Sequence, residues 1–308
     1  MSAFTPAIRA SLQADASRGV SQTLRHWSIR QLLGINLPSR TDGNNNHHHV
    51  KDAKFLLREV QIRLAVQHAK LSSMSTSMEE YANSTSHKRM RRDDDDDDGM
   101  MIRNAQQCLQ SLLRLHEDTY VLPHRIIDGD WHNLLIEPFT KPNRKYVTNL
   151  FDEIMSRHGS VVETLADAVI YARIGCDGSS NNACPNLLHD KTIESFLHSR
   201  LLIQLLCDHY ISMHRNNKST GAITVDANVE GVIEDATTEA RHVCDANLGI
   251  APEVVIEIDD SISFSNEGDD YKPPPLVQSW LHHAIVEITK NAMTSNVQHF
   301  FFDTHTSE

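Results

Sequence analysis

Near the end of this 308-residue chain, His283, Glu287, Lys290, Asn291 and Thr294 follow one another at steps of four, three, one and three. At about 100° per residue, a helix would gather them on one stripe. A carboxylate and a carboxamide four residues apart can reach into one pocket. There the carboxylate could orient a hydroxyl and take its proton, and the amide oxygen could hold a magnesium ion. A merely solvated helix face shows the same pattern, so the stripe gains meaning only from its setting.

That setting is a segment from Leu281 to Gln298 with helical period. Leu281, Ile285, Ile288 and Ala292 lie roughly opposite the stripe and are expected to face a core. Further apolar seams occur earlier. They are Phe55, Leu56, Val60, Leu64 and Ala65; Val147, Leu150, Ile154, Val161, Leu165 and Ala168; Phe196, Leu197, Leu201, Leu205 and Leu206; and Val229, Val232, Ile233, Ala236, Ala240 and Val243. Amphipathic helices in succession bury their seams on one another, which predicts a helical bundle over residues 21–220. The β-branched run Pro252–Ile258 reads as a strand. With the helices before and after it, a second domain of mixed type is expected over 221–308. Ala222–Val225 is a weak candidate for a neighbouring strand.

Charge and composition narrow the function. The net charge is −12, and six of the acids form the run Asp93–Asp98. An acidic chain without a basic stripe argues against a nucleic-acid partner. No apolar run approaches the roughly 20 residues that span a bilayer. The five cysteines, Cys108, Cys176, Cys184, Cys207 and Cys244, include no CxxC pair and read as free thiols. Residues 1–40 carry five arginines against Asp15 alone, with serines interspersed, so residues 1–20 read as a possible transit segment. The polar stretch 39–50, with its Asn and His triplets, and the stretch 72–99, which ends in the acidic run, read as disordered insertions. Asp177–Pro185 reads as a loop.

Several blocks, in order, resemble one family. These are Ser28-Ile29-Arg30-Gln31-Leu32-Leu33; Phe55 to Ala65; Arg157-His158-Gly159-Ser160-Val161-Val162 with Thr164-Leu165-Ala166; Ser199-Arg200-Leu201 onward to His209; and Ala251-Pro252-Glu253. The His283, Glu287, Lys290-Asn291 spacing is similar to the N-box of an ATPase lobe shared with histidine kinases and gyrase. The chain thus resembles the mitochondrial pyruvate dehydrogenase kinases and branched-chain α-ketoacid dehydrogenase kinases.

The resemblance implies an α+β protein: an N-terminal helical bundle followed by a partial GHKL-type α/β ATPase lobe. It implies a protein-serine kinase of the mitochondrial matrix that uses Mg-ATP and phosphorylates the E1 component of an α-ketoacid dehydrogenase complex. It also implies docking to the lipoyl-bearing E2 component and, at full length, a homodimer. Glu287 would be the base, His283 would tune it, Asn291 would hold Mg²⁺ and Lys290 would lie near ATP. His158 resembles the acceptor position of histidine kinases but sits on an apolar seam, which favours a core role. Thr294 and Gln204 stand where the family usually has arginine. The glycine-rich Asp-x-Gly-x-Gly motif of the family occurs nowhere in the sequence. Truncation and inactivity of the chain alone are therefore expected. The alternative is a non-catalytic helical module that docks the lipoyl domain.

Overall fold

A computed structural model describes residues 6–21, 45–89, 96–127, 141–177, 190–215, 221–225, 227–257 and 275–305. Eight helices run through the described residues: α1 (Pro6–Ser21), α2 (Asn45–Arg89), α3 (Asp96–Ile127), α4 (Lys141–Arg157), α5 (Val161–Asp177), α6 (Asp190–Arg215), α7 (Val229–Leu248) and α8 (Gln278–His305). They fall into two compact units, α1–α6 in one and the residues from 221 onward in the other.

In the first unit, α2 packs on α1, α3 and α6, α3 packs on α5, and α4 packs on α6. The sequence seams become its interior, except that Leu201 is 46% exposed. Leu56, Val60, Leu64, Val147, Ile154, Val161, Leu165 and Phe196 are all buried. One continuous cluster joins Leu71, Met74 and Met78 of α2 to Ile102, Leu109 and Leu112 of α3, Leu165 and Ala172 of α5, and Phe196 of α6. Gly175 lets α5 approach α3 closely. A Cβ there would lie 2.9 Å from Ile102 Cγ1 and 3.1 Å from the Asp98 carbonyl.

Three expectations need correction. The stretch 72–99 is not an unstructured insertion where it is described, because α2 continues to Arg89 and α3 starts at Asp96. Leu71, Met74, Ser75 and Met78 recur at helical spacing and are buried, so the Met/Ser run carries a core face that its polar composition hides. Thr76 and Ser77 turn their hydroxyls back onto the carbonyls of Ser72 and Ser73, which spares them other partners. Likewise 45–50 belongs to α2, whereas 39–44 and 90–95 lie outside the described residues. The seam from Val147 to Ala168 is two helices rather than one, broken by a turn at His158–Ser160. The block Ser28–Leu33, Cys184 and most of the loop 177–185 also lie outside the described residues.

In the second unit, Asn228 caps α7 by accepting the Gly231 N–H at 3.1 Å. Gly249 closes it at φ 72°, donating to the Asp245 carbonyl at 2.8 Å. Ala236 and Ala240, one turn apart, let α8 approach α7 and seat Val286. A second cluster joins Cys244 to Met293 and Val297, with Leu248, Ala251 and Val254 at its edge.

The strand expected over Pro252–Ile258 is not formed in its described part, 252–257. Val254 tucks into the helix pair, while Val255 is 74% exposed. A strand is defined by its ladder, and among the described residues no backbone pairs with this segment. The pairing that does occur joins Thr224 to Leu276, with N–H···O distances of 2.8 and 3.0 Å. The weak Ala222–Val225 segment therefore pairs with the approach to α8 and not with 252–257. Among the described residues of this unit, the regular elements are two helices and one isolated bridge.

Candidate functional site

Helix α8 carries all four candidate residues, and the heptad step of its buried side chains fixes where they point. Val286, Met293 and Val297 face α7. At 100° per residue, Glu287 stands about 100° round the helix from Val286, with His283 and Lys290 nearer the packed face and Asn291 further out. His283 and Asn291 are exposed, and Glu287 and Lys290 are partly covered. The stripe therefore occupies one shoulder of the helix, open to solvent.

The opposite face is not the core that was expected. Ile285 is partly buried, but Ile288 is 66% exposed and Ala292 is exposed. The stripe read as core missed Val286, Met293 and Val297 because apolar residues occur all round this helix. Periodicity alone could not choose between them.

Within the stripe, the Lys290 ammonium donates to Glu287 Oε1 at 2.5 Å. This hydrogen bond holds the Glu287 carboxyl below its ordinary range, and the nearby His283 acts in the same direction. Glu287 is thus an ionised, solvent-facing carboxylate with a cation at hand. His282, which turns toward α7, lies 3.6 Å from Glu239. Sequence reading passed over this His282–Glu239 pair, although the 100° offset from His283 was enough to send His282 to the α7 side.

Among the described residues, no group of three His, Cys, Asp or Glu side chains could hold a metal unaided. Magnesium does not require one. It keeps several waters and takes one or two protein oxygens beside substrate phosphates. An exposed Asn291 carboxamide fits that requirement. Thr294, half-buried on the same stripe, brings no cation there.

A second polar cluster lies inside the bundle. His158 is 1% exposed, and its ring meets that of His116 edge-on at 4.7 Å. The Arg200 guanidinium donates to the His158 carbonyl. His158 Nε2 has no hydrogen-bond partner among the described residues. Burial pushes the His158 ring down to about 2, and the neighbouring His116 and Arg200 add to the effect. Burial likewise brings His116 to about 4, although its Nδ1 lies 2.8 Å from the Leu112 carbonyl. Both rings are neutral interior groups at pH 7. A neutral ring sealed from solvent is out of reach of an incoming phosphoryl donor, in keeping with a core role for His158. Gln204 is half-buried one turn beyond Arg200. Between α5 and α6 runs an apolar groove of about 650 Å³, lined by Val162, Ile170 and Leu201 among others.

Among the described residues, no helix is long and apolar enough to cross a membrane. Among the described residues, Cys108, Cys176, Cys207 and Cys244 form no disulfide.

Comparison with known proteins assigns the bundle. Residues 26–234 match the family model described as mitochondrial branched-chain alpha-ketoacid dehydrogenase kinase. The chain is 28% identical over 159 residues to a probable pyruvate dehydrogenase (acetyl-transferring) kinase, mitochondrial, of Caenorhabditis elegans, covering 49% of this chain and 37% of that protein. It is 29% identical over 179 residues to the corresponding kinase of Schizosaccharomyces pombe, covering 56% and 37%. It is 27% identical over 158 residues to isozyme 4 of Homo sapiens, covering 48% and 35%. The matches thus span well under half the length of these curated relatives. The family match begins after α1 and ends before α8, so it covers α2 to α6, the turn at His158 and the first turns of α7. With 26–234 of its 308 residues so matched, the chain belongs to the mitochondrial pyruvate and branched-chain α-ketoacid dehydrogenase kinase family.

Proposed function

We propose that this chain carries the phosphoryl-transfer stripe of a protein-serine kinase acting on the E1 component of an α-ketoacid dehydrogenase complex in the mitochondrial matrix. The observation that supports this reading best is the arrangement on α8. Glu287 is ionised and held by Lys290, with His283 and Asn291 exposed on the same shoulder, in a chain whose preceding bundle belongs to the kinase family.

In this mechanism Glu287 orients the serine hydroxyl and accepts its proton as the bond to phosphorus forms. His283, one turn earlier, tunes that carboxylate through its charge. Lys290 attracts phosphate oxygens, which compete with Glu287 for its ammonium. Asn291 offers its amide oxygen to magnesium, and the bound ion would neutralise phosphate charge. Phosphoryl transfer asks mainly for positioning and charge neutralisation, so a short stripe can supply one side of the site. The stripe is open to solvent and supplies one side of the site only, so it is expected to hold Mg-ATP weakly by itself; dimerisation is assigned to the whole kinase.

The second reading is a helical module that docks the lipoyl domain of E2 without catalysis. It is favoured by the extent of the family match, which takes in α2 to α6 and stops before α8. One experiment separates the two. The chain, in excess, is incubated with purified pyruvate or branched-chain E1 and radiolabelled Mg-ATP at millimolar concentration, and its binding to lipoylated E2 domain is measured in parallel. Slow labelling of E1 serine supports the kinase. Lipoyl binding with no labelling of either E1 replaces it with the docking module.

A further inference from the structure

The N-terminal helix carries a reading that sequence and structure treat in opposite ways. Residues 1–40, of which 1–20 read as a possible transit segment, have the arginine- and serine-rich, acid-poor composition of an import leader. Leaders are cleaved as extended chains and are not expected to carry core contacts. Yet the described part of α1 is built into the bundle. Leu12, Asp15 and Ala16, at i, i+3 and i+4, are 3%, 2% and 8% exposed. One face of α1 therefore lies against α2.

The single acid of the segment is the centre of that contact. Arg58 of α2 grips Asp15 with both guanidinium nitrogens, Nη1 donating to Oδ2 at 2.7 Å and Nη2 to Oδ1. Tyr120 of α3, itself fully buried, donates its hydroxyl to Asp15 Oδ2 at 2.7 Å. Because that proton is committed to Asp15, Ser11 Oγ donates to the Tyr120 oxygen at 3.1 Å. Arg18 adds a looser approach at 3.9 Å. The partners lie 43 and 105 residues away in sequence. A buried carboxylate with this set of donors cannot be removed cheaply, because Arg58 and Tyr120 would then lose the group that satisfies them. A solvated arm has no use for such a clasp.

We propose that α1 is retained as a structural helix of the finished protein, fastened by the Asp15–Arg58–Tyr120 clasp, and that processing after import leaves residues 9–18 in place. The proposal rests on the mitochondrial reading only for the word import. The clasp itself does not depend on it.

Two arms test it on the full chain. In the first, the chain is imported into isolated mitochondria and the N-terminus of the product is read by mass spectrometry. A product that still contains Arg9 to Arg18 is expected. An N-terminus beyond Arg9 overturns the proposal. If the chain is not imported, the mitochondrial reading fails and the second arm still decides the clasp.

In the second arm, native-state trypsin cleavage after Arg18, which is exposed on α1, is timed against cleavage after Arg103 and Arg114 of α3. Asp15→Ala is expected to speed the Arg18 cut by about tenfold relative to the α3 cuts, because α1 opens locally without the bundle unfolding. Tyr120→Phe, which removes one donor and keeps the ring, is expected to give a smaller rise in the same ratio. If Asp15→Ala unfolds the whole bundle, the Tyr120→Phe ratio decides. A ratio unchanged in both variants, or a wild-type Arg18 bond cut as fast as in the free peptide, overturns the proposal.

Discussion

Lys290 and Glu287, three residues apart on α8, are joined by a charge-assisted hydrogen bond of 2.5 Å. The contact fixes the carboxylate of the proposed base in its ionised form and holds it below the usual carboxyl range. Replacing Lys290 by Met removes both the hydrogen bond and the positive charge. The Glu287 carboxyl should then titrate at higher pH, as followed by the carbon-13 shift of its side-chain carboxyl. The fold should be little changed, since exposed ion pairs stabilise weakly. A Glu287 titration that is the same in both proteins would show that Lys290 does not engage it in solution.

The bundle should weaken in mild acid through His116 and His158. In the unfolded chain each ring binds a proton near its ordinary 6.5, whereas in the folded chain they do so only near about 4 and about 2. Below 6.5 the unfolded state therefore binds more protons, and stability falls with falling pH. His116 contributes down to about 4, and His158 continues to about 2. Each group should account for roughly 1.4 kcal/mol per pH unit well inside that window. Urea midpoints at pH 7.5 and 5.0 measure the loss, and His158→Gln should reduce its slope. Equal midpoints at the two pH values would place both rings in contact with water.

Close approach of α3 and α5 depends on Gly175. A methyl group there meets Ile102 Cγ1 at 2.9 Å and the Asp98 carbonyl at 3.1 Å, and the carbonyl belongs to helix backbone that cannot yield easily. Gly175→Ala should cost about 1–3 kcal/mol, less the helix propensity gained. Its urea midpoint should fall accordingly. A midpoint at or above that of the original chain would mean that the two helices stand further apart.

Met78 tests the helical reading of the Ser/Met stretch. It is 1% exposed within the main core cluster. Met78→Ala should cost about 2–5 kcal/mol, whereas Ser77→Ala, at a half-buried position on the same turn whose hydroxyl bonds back to the Ser73 carbonyl, should stay within about 0.5 kcal/mol. Equal effects at the two positions would restore the unstructured insertion first read there.

Much of the bundle was legible because its seams are made of aliphatic residues at unambiguous spacing. Leu56, Val60 and Leu64 are one case, and Leu150 with Ile154 another. The helix through Met74 and Met78 was hidden because Ser, Thr and Glu fill its other faces and suggest a solvated segment. Its core stripe is only Leu71, Met74, Ser75 and Met78. The strand over Pro252–Ile258 was predicted from β-branching, but propensity supplies no partner, and pairing is a property of two segments. On α8 the polar residues were identifiable from their spacing, yet the buried face was misplaced. Leu281, Ile285 and Ile288 compete on equal terms with Val286, Met293 and Val297, and only the position of α7 decides. The clasp on Asp15 was illegible for a simpler reason. Its three members come from distant parts of the chain, and composition presented the helix as a leader.

The proton-accepting role of Glu287 is tested most directly by single-turnover phosphorylation of E1 with radiolabelled Mg-ATP, comparing the original chain with Glu287→Gln. The amide keeps the size of the side chain and removes its basicity. Serine labelling is expected to slow by about 10²-fold or more, within the range ascribed to a positioned general base, with Mg-ATP affinity little changed. Labelling by the Gln variant at the original rate would contradict the account.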